Sequence, residues 1–374
     1  MSDKILNAPE AVLADLRDFG LTGSDVTSAL QRAGAELGPD STISLPAGEF
    51  IISAPVDLAG ASLAGSGRHL TRLTASRETS AAEWCIGPDP NDVAMLYAVN
   101  RNGWRASGFS LDGCDRYTGG IVARGGSDIH FSGLHARNFA NAPIQFMGSR
   151  RDGEWPVSRS SITRCISSGS RWCFVLDGEA HDIVIADNLS LDAVNRHISL
   201  DPREAVEERR VHSGVLVVNN VCSGQRALPD EWREDYSLNR ADAAIRAKHD
   251  FRGLITGNTI TGWGSVQGEG RIRGVQCDGG QPVIDRNLIC GVPTAEKSRG
   301  VELGPDIAAG TIVHANTVTG FDIGLRADGA LAQVPLVISN NVFAGVRTAF
   351  SNLPKPRPPH WSMTGNMMEG KPAR

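Results

Sequence analysis

The sequence predicts a parallel β-solenoid, in which short strands wind into a single stack of coils. Three observations predict it. A phrase centred on asparagine recurs every 25 to 38 residues, a strand-and-turn phrase recurs between the asparagines, and no helical periodicity appears after the N-terminal region. Glycine, with 42 of 374 residues, supplies the many tight turns that such coils need.

The asparagine phrase reads apolar, any, polar, Asn, apolar. It is centred on Asn188, Asn220, Asn258, Asn287, Asn316, Asn341 and Asn366, with Cys165 and Asn138 in the same slot of earlier coils. Side chains stacked in one turn can hydrogen-bond the backbone of the neighbouring coil. We therefore expect these asparagines to form one line along the stack.

The chain is predicted to form one domain over residues 1–374, with about ten coils between residues 40 and 350. Residues 8–35 predict a helical cap with Ser24 as its N-cap. The proline-rich residues 351–374 predict a tail that covers the last coil.

Charge and hydropathy exclude several classes of protein. The net charge of −5 argues against a nucleic-acid or anionic-lipid partner, and no apolar stretch is long enough to span a membrane. The N-terminus carries acidic residues where a signal peptide would be basic, and the seven cysteines form no CxxC pair. We expect a cytoplasmic protein with reduced thiols; phage-type or non-classical export stays open.

The opening phrase DFGLTGSDVTSALQRAGAELGPDSTISLPAGEFIIS resembles the one that precedes the coils in pectate-lyase-like proteins. The matching positions are Asp18, Gly20, Gly23, Asp25, Thr27, Ala29, Leu30, Leu45, Pro46, Ala47, Gly48 and Ile51. The resemblance implies an all-β, right-handed parallel β-helix. This superfamily hosts lyases, hydrolases, epimerases and phage tailspikes, so the resemblance leaves the chemistry open.

Stacking the strand phrases in register predicts two outward columns with about 4.8 Å between coils. The residues just before the turn are Asp177, Asp201, Lys248, Asp278, Gly304 and Asp328, and those two positions earlier are Val175, Ser199, Arg246, Gln276, Glu302 and Arg326. Aspartate before glycine is common in turns, but lysine has no turn role. The columns therefore predict a functional, charged face.

Three long insertions, 148–160, 202–213 and 225–242, fall beside this face. They carry Trp155, Trp232 and Tyr236, whose rings can stack on sugars, while Glu302 and Arg326 extend the charged floor. A charged floor between aromatic walls predicts a site for a polysaccharide or oligosaccharide.

The first mechanism to consider is β-elimination on a uronic-acid polysaccharide, which needs a base and a positive charge beside the substrate carboxylate. The charged face resembles the site of family 9 pectate lyases. That resemblance implies calcium on Asp177, Asp201 and Glu204, with Lys248 as the base, although the family's Asp-Asp pair reads Asp201-Pro202 here. A lysine between carboxylates is held in its charged form and would instead bind a substrate carboxylate.

The second mechanism is glycoside hydrolysis by paired carboxylates. Asp177 and Asp201 would lie about 5 Å apart, and Asp201 and Asp278 about 9.6 Å apart, near the retaining and inverting separations. IRAK, with Arg246 and Lys248, is similar to the RIK motif of polygalacturonase-like family 28 hydrolases. LDPRE is similar to the DPH motif of alginate C5-epimerases, with Arg203 in place of the catalytic histidine.

The sequence thus predicts a polysaccharide lyase with Lys248, Asp201, Asp278 and Arg246 as catalytic residues. A glycoside hydrolase is the alternative enzyme. A non-catalytic, tailspike-like β-helix, which would be a trimer, is the alternative from another class.

Overall fold

The computed structural model describes residues 12–87, 89, 92–148, 154–201, 211–229, 232, 242–264, 272–292, 297–354, 356–369 and 371–372. Over these residues the chain is a parallel β-solenoid of about 12 coils with one α-helix, which confirms the predicted fold class. The expected number of about ten was low because the coils before residue 140 carry no asparagine in the repeated slot.

Each coil crosses three faces in the same order, which we call A, B and C. Face A consists of β1 (Val12–Asp15), β2 (Ser41–Leu45), β5 (Ser62–Gly65), β8 (Arg105–Ser107), β11 (Gly126–Ser127), β12 (His130–Ser132), β15 (Val157–Thr163), β18 (Ala180–Ala186), β21 (Val211–Val218), β24 (Asp250–Thr256), β27 (Val283–Asp285), β30 (Thr311–His314), β33 (Leu336–Ser339) and β36 (Ser362–Thr364). Face B consists of β3 (Gly48–Ile52), β6 (Thr71–Ala75), β9 (Ser110–Arg116), β13 (His135–Phe139), β16 (Ile166–Ser168), β19 (Leu189–Ala193), β22 (Val221–Gln225), β25 (Thr259–Trp263), β28 (Leu288–Gly291), β31 (Thr317–Thr319), β34 (Val342–Ala344) and β37 (Met367–Met368).

Face C consists of β4 (Val56–Asp57), β7 (Leu96–Val99), β10 (Ile121–Arg124), β14 (Ile144–Met147), β17 (Trp172–Asp177), β20 (Arg196–Asp201), β23 (Ala243–Ala247), β26 (Arg273–Gly280), β29 (Arg299–Ile307), β32 (Ile323–Ala327) and β35 (Thr348–Ser351). Neighbouring strands on each face are parallel. The faces alternate inward apolar and outward polar residues, so the inward side chains fill one continuous core.

The asparagine ladder forms as predicted at the turn between faces A and B. Both the backbone N–H and the Nδ2 of Asn220 donate to Oδ1 of Asn258 at 2.9 Å, and Nδ2 of Asn258 donates to the Val217 carbonyl at 2.9 Å. The same pattern joins the ladder from Asn188 to Asn366. The ladder fixes the register of the coils.

Cys165 and Asn138, which precede Asn188 in the chain, were predicted to occupy the asparagine position of earlier coils, and one of these two predictions was wrong. The Cys165 N–H donates to Oδ1 of Asn188 at 2.9 Å, so Cys165 does occupy the slot. The Asn138 assignment was wrong. Leu134 lies in the slot instead, because its carbonyl accepts from Ile166 as the Cys165 carbonyl accepts from Leu189.

Both ends of the stack differ from the predicted bounds. The α-helix, α1, spans Thr27–Leu37, and the side chain of Asp25, rather than Ser24, accepts from the Thr27 N–H at 2.9 Å. Residues 12–15 form a strand, so the helical segment is shorter than expected. At the other end β36 and β37 add further rungs, and β38 (Lys371–Pro372) pairs antiparallel with β37, so the tail continues the coils.

Among the described residues, 3-10 helices at Leu16–Phe19, Ala82–Trp84 and Gly329–Gln333 interrupt the strands. None of the helices among the described residues has the length and apolar character needed to cross a membrane.

Several polar or reactive side chains lie inside the core. All seven cysteines are free, and Cys165, Cys173, Cys222 and Cys277 are buried, with burial raising the pKa of Cys165 to about 12. Burial also lowers the pKa of His197 to about 3 and that of His212 to about 4. Both imidazoles are held by backbone carbonyls, from Gly224 at 3.0 Å and from Gly178 at 2.8 Å.

Candidate functional site

The two predicted columns stand in register on face C. Asp177 lies opposite Asp201, and Ser199, Arg246, Gln276, Glu302 and Arg326 follow one another on successive coils. The Lys248 N–H donates to the Leu200 carbonyl at 2.9 Å, which places Lys248 on the coil next to Asp201. The ladder at the opposite turn therefore positions these side chains about 4.8 Å apart along the stack.

Asp201 is contacted by two neighbouring cationic or basic side chains. The Lys248 ammonium donates to Oδ2 of Asp201, and Nε2 of His249 lies 3.7 Å from Oδ1. The Lys248 side chain is 25% exposed and that of Asp201 16%, so the lysine is the more accessible partner. The structure thus brings Lys248 and Asp201 together, and adds His249, which the sequence patterns did not single out.

Arg246 and Asp278 form the next pair. Nε and Nη2 of Arg246 donate to Oδ2 of Asp278 at 3.2 and 2.8 Å, and Nε2 of Gln276 donates to Oδ1. Both oxygens of Asp278 therefore accept hydrogen bonds, the arrangement expected of an ionised carboxylate rather than a proton donor.

Asp242 lies at the centre of three arginines. It accepts from Arg196 at 2.8 Å, from Arg273 at 3.0 Å and from Arg246. Burial, the largest influence, would raise the pKa of Asp242, but the three guanidinium charges together hold it below its ordinary value. Asp242 stays negative and fixes the three arginines in place.

Glu302 holds a second group of arginines. It accepts from Arg299 and Arg326 at 2.6 Å each, and from Nε of Arg273. Burial would raise the pKa of Glu302, but the hydrogen bond from Arg299 and the charge of Arg273 keep it lowered. Arg273 thus bridges the two acidic centres.

Three of these arginines were not predicted as site residues, although their spacing in the sequence indicates their position. Arg196, Arg273 and Arg299 each stand three residues before a column position, in the phrases RHIS, RGVQ and RGVE. Asp242 has no comparable signal, because it lies at the end of an insertion and only the fold brings it to the arginines.

We call this set the charged row: Arg196, Arg246, Lys248, Arg273, Arg299, Arg326, Asp177, Asp201, Asp242, Asp278 and Glu302. It holds six cations and five acids, in a chain whose net charge is −5. The side chains of Arg246, Lys248 and Arg326 are 21–25% exposed. Among the acids, Asp278 is similarly exposed at 24%, whereas Asp201 and Asp242 are 16–17% exposed and Glu302 is 5% exposed. Three accessible cations thus accompany one equally accessible acid. The outer surface of the row therefore favours an anionic ligand.

The remaining predicted residues lie in different places. Trp155 is 48% exposed beside the ion pair of Arg124 and Glu154, and Arg124 is two coils from Asp177 along face C. Trp232 is buried and donates to the Asp115 carbonyl at 2.9 Å, so its ring is a packing element rather than the exposed wall that we expected. Glu204 and Tyr236 lie outside the described residues.

The expected calcium site stays a prediction, because Glu204, one of its three ligands, lies outside the described residues. No group of three or more acidic, histidine or cysteine side chains that could hold a metal ion occurs in the described part of the chain. Asp177 and Asp201 are neighbours, but the Lys248 ammonium already occupies the cation position on Asp201. A calcium ion there would have to displace a bound positive charge.

Comparisons with known proteins support the fold. No family model matches the sequence, and no curated protein matches it. Among solved structures, the chain is similar to the A-module of the mannuronan C-5 epimerase AlgE4 of Azotobacter vinelandii (TM-score 0.58, 14% identity, 96% of each chain covered). It is also similar to the family 28 exopolygalacturonase of Yersinia enterocolitica (TM-score 0.60, 12% identity, 97% of this chain and 79% of that one).

A third similar structure is the catalytic domain of a GH87 α-1,3-glucanase in complex with nigerose (TM-score 0.56, 13% identity, 96% of this chain and 69% of that one). At these identities the likenesses show the fold alone. The chain has the right-handed parallel β-helix architecture that its opening phrase implied.

Proposed function

We propose that this protein is a carbohydrate-active enzyme that cleaves an acidic, uronic-acid polysaccharide or oligosaccharide by β-elimination on the charged row. The observation that carries the proposal is the set of accessible cations, Arg246, Lys248 and Arg326, on one face of an acidic chain. The similar structures whose names include an epimerase, a polygalacturonase and a glucanase support a saccharide as the ligand.

β-Elimination removes the proton next to the substrate carboxylate and builds negative charge on that carboxylate. The electron pair then forms the C4–C5 double bond and expels the glycosidic oxygen on C4, which takes up a proton from the protonated base or from water. Guanidinium groups fixed before the reaction stabilise such charge, because they need no reorganisation as it develops. Arg246 is fixed by Asp242 and Asp278, and Arg326 by Glu302. These two arginines are the proposed electrostatic stabilisers.

The base must lie beside them and be able to accept a proton. Lys248 donates to Asp201, and a lysine in such an ion pair binds a substrate carboxylate better than it accepts a proton. His249 lies on the other oxygen of Asp201, and imidazole is a base that works near neutral pH. We assign the proton abstraction to His249, whose Nε2 lies 3.7 Å from Asp201, and the binding of the substrate carboxylate to Lys248; Lys248 as the base is the alternative.

Hydrolysis by Asp201 and Asp278 is the second candidate, because the register places them two coils apart, near the inverting separation. The contacts of Asp278 argue against hydrolysis, since both of its oxygens accept from Arg246 and Gln276 and neither is placed to donate a proton. The Asp201–Asp278 pair therefore lacks the general acid that hydrolysis requires.

A panel of uronic-acid and neutral polysaccharides separates these functions. β-Elimination gives unsaturated sugar ends that absorb in the ultraviolet, and hydrolysis gives reducing ends without that absorbance. We expect absorbance with at least one uronic-acid polymer and none with neutral polymers. Reducing ends alone would establish the hydrolase, and the absence of both products with every uronic-acid polymer would refute the proposed cleavage.

A further inference from the structure

A polar cleft lies away from the charged row, at the edge where faces B and C meet. Its volume is about 470 Å³, and it lies between residues 77–84 and residues 114–117, with Ala140 and Trp232 closing it. Successive coils along this edge carry Ala140, Arg171, Asn195 and Asp242. The cleft is therefore about three coils, or roughly 14 Å, from the acidic centre of the row.

The cleft has an excess of positive charge. Arg77 and Arg116 line it and are both exposed, and Nη2 of Arg116 donates to the Arg77 carbonyl. Within the described chain neither guanidinium forms an ion pair with a carboxylate. Asp115, the acid of the lining, is paired with Arg226 at 3.1 Å. Arg77 contacts the Cys114 thiol and Arg116 the Arg77 carbonyl, and the further N–H donors of the two exposed guanidinium groups can bind an anion.

The remaining walls are aromatic. Tyr117, Trp84 and Trp232 line the cleft, and Trp232 is held by the Asp115 carbonyl and by the Arg226 guanidinium, which lies 5.6 Å from its ring. The buried Nε1 of Trp84 has no hydrogen-bond partner among the described residues. The buried Nε1 atoms of Trp263 and Trp361, which do not line the cleft, also lack a partner among the described residues, so this donor does not distinguish the cleft.

Two exposed guanidinium groups beside the half-buried ring of Tyr117 suit a sugar ring that bears a carboxylate, whereas the rings of Trp84 and Trp232 are buried and pack beneath the cleft. We infer that the cleft binds one uronate unit of a chain whose other units lie on the charged row. The class of ligand in this inference rests on the proposed function. Along the chain, Trp232 precedes β23, and β23 carries Arg246 and leads into Lys248.

The test measures binding rather than turnover. The probes are hexasaccharides of galacturonate, mannuronate and glucuronate, with a neutral hexasaccharide for comparison, titrated by calorimetry. We expect the double variant Arg77→Gln/Arg116→Gln to bind the preferred uronate hexasaccharide roughly tenfold more weakly. Arg105→Gln, at an exposed arginine on face A without a carboxylate partner among the described residues, should bind as the wild type does.

Equal melting temperatures of the three proteins would show that the exposed arginines act on the ligand and not on the fold. Undiminished binding by the double variant would overturn the inference, as would a wild type that binds none of the uronate hexasaccharides. Weakened binding in the double variant together with no cleavage of any polymer would keep the cleft and remove the proposed reaction. Normal cleavage together with normal binding in the double variant would support the proposed reaction and refute the cleft as a binding site.

Discussion

Replacing Asn258 by alanine tests the element that holds the charged row in register. The Asn258 side chain donates to the carbonyls of Val217 and Thr256 and to Oδ1 of Asn287, and accepts from the N–H and Nδ2 of Asn220. Asn258→Ala removes the partner of two buried donors on Asn220 and of the Val217 carbonyl. Each buried group left without a partner costs about 1–3 kcal/mol, so we expect a loss on the order of 4 kcal/mol.

The assay is thermal unfolding followed by circular dichroism. At about 2.1 cal/mol/K of unfolding entropy per residue, a chain of 374 residues loses roughly 1.3 °C for each kcal/mol, so the melting temperature should fall by about 5 °C. Asn102→Ala is the matched control. Asn102 is exposed and also accepts two hydrogen bonds, from the N–H and the hydroxyl of Ser127, but water can replace it there. Its melting temperature should change by less than about 2 °C. Equal effects of the two substitutions would refute the argument that burial makes the ladder stabilising.

Four further results are expected. His249→Gln should lower kcat by roughly 10²–10⁴-fold with the fold intact, whereas a variant with normal turnover would remove His249 as the base. Lys248→Arg should keep much of the activity and Lys248→Ala should act mainly on KM, because arginine can bind a carboxylate but cannot act as a base; an inactive, folded arginine variant would favour Lys248 as the base. Turnover should be indifferent to chelators because Lys248 occupies Asp201; loss of activity that calcium restores would instead support the implied metal. Finally, His197 and His212 have lowered pKa values in the folded protein, so stability is complete above pH 6.5 and is lost as the pH falls toward 3–4. Between pH 6.5 and 5 each should cost about 2 kcal/mol, and an unchanged melting temperature over that range would contradict the burial argument.

The sequence was sufficient to predict the fold and the register of face C. Alternation of apolar residues defines each strand, and one asparagine in each coil defines how strands align, so Asp177, Asp201, Arg246 and Glu302 could be placed by counting. These features are local and repeat, which is why a single sequence reveals them.

What the sequence did not predict depends on contacts between distant segments. The place of Trp232 is set by its bond to Asp115, which is 117 residues earlier in the chain, and no local pattern encodes that contact. Asp242 likewise meets Arg196 and Arg273 only because an insertion returns to the edge of face C. Aromatic and acidic residues in long insertions therefore gave poor guidance about which of them face a ligand.

The reactivity of the buried cysteines reports which coils of the folded chain have opened. Cys165, Cys173, Cys222 and Cys277 are shielded within the central coils, where a thiol reagent can reach them only after the surrounding coils separate. Since each coil of a solenoid rests on its neighbours alone, fraying from either end would leave these thiols unmodified until it arrived at their coil. Alkylation followed by peptide mass mapping would then give the order in which the coils separate, with no residue substituted.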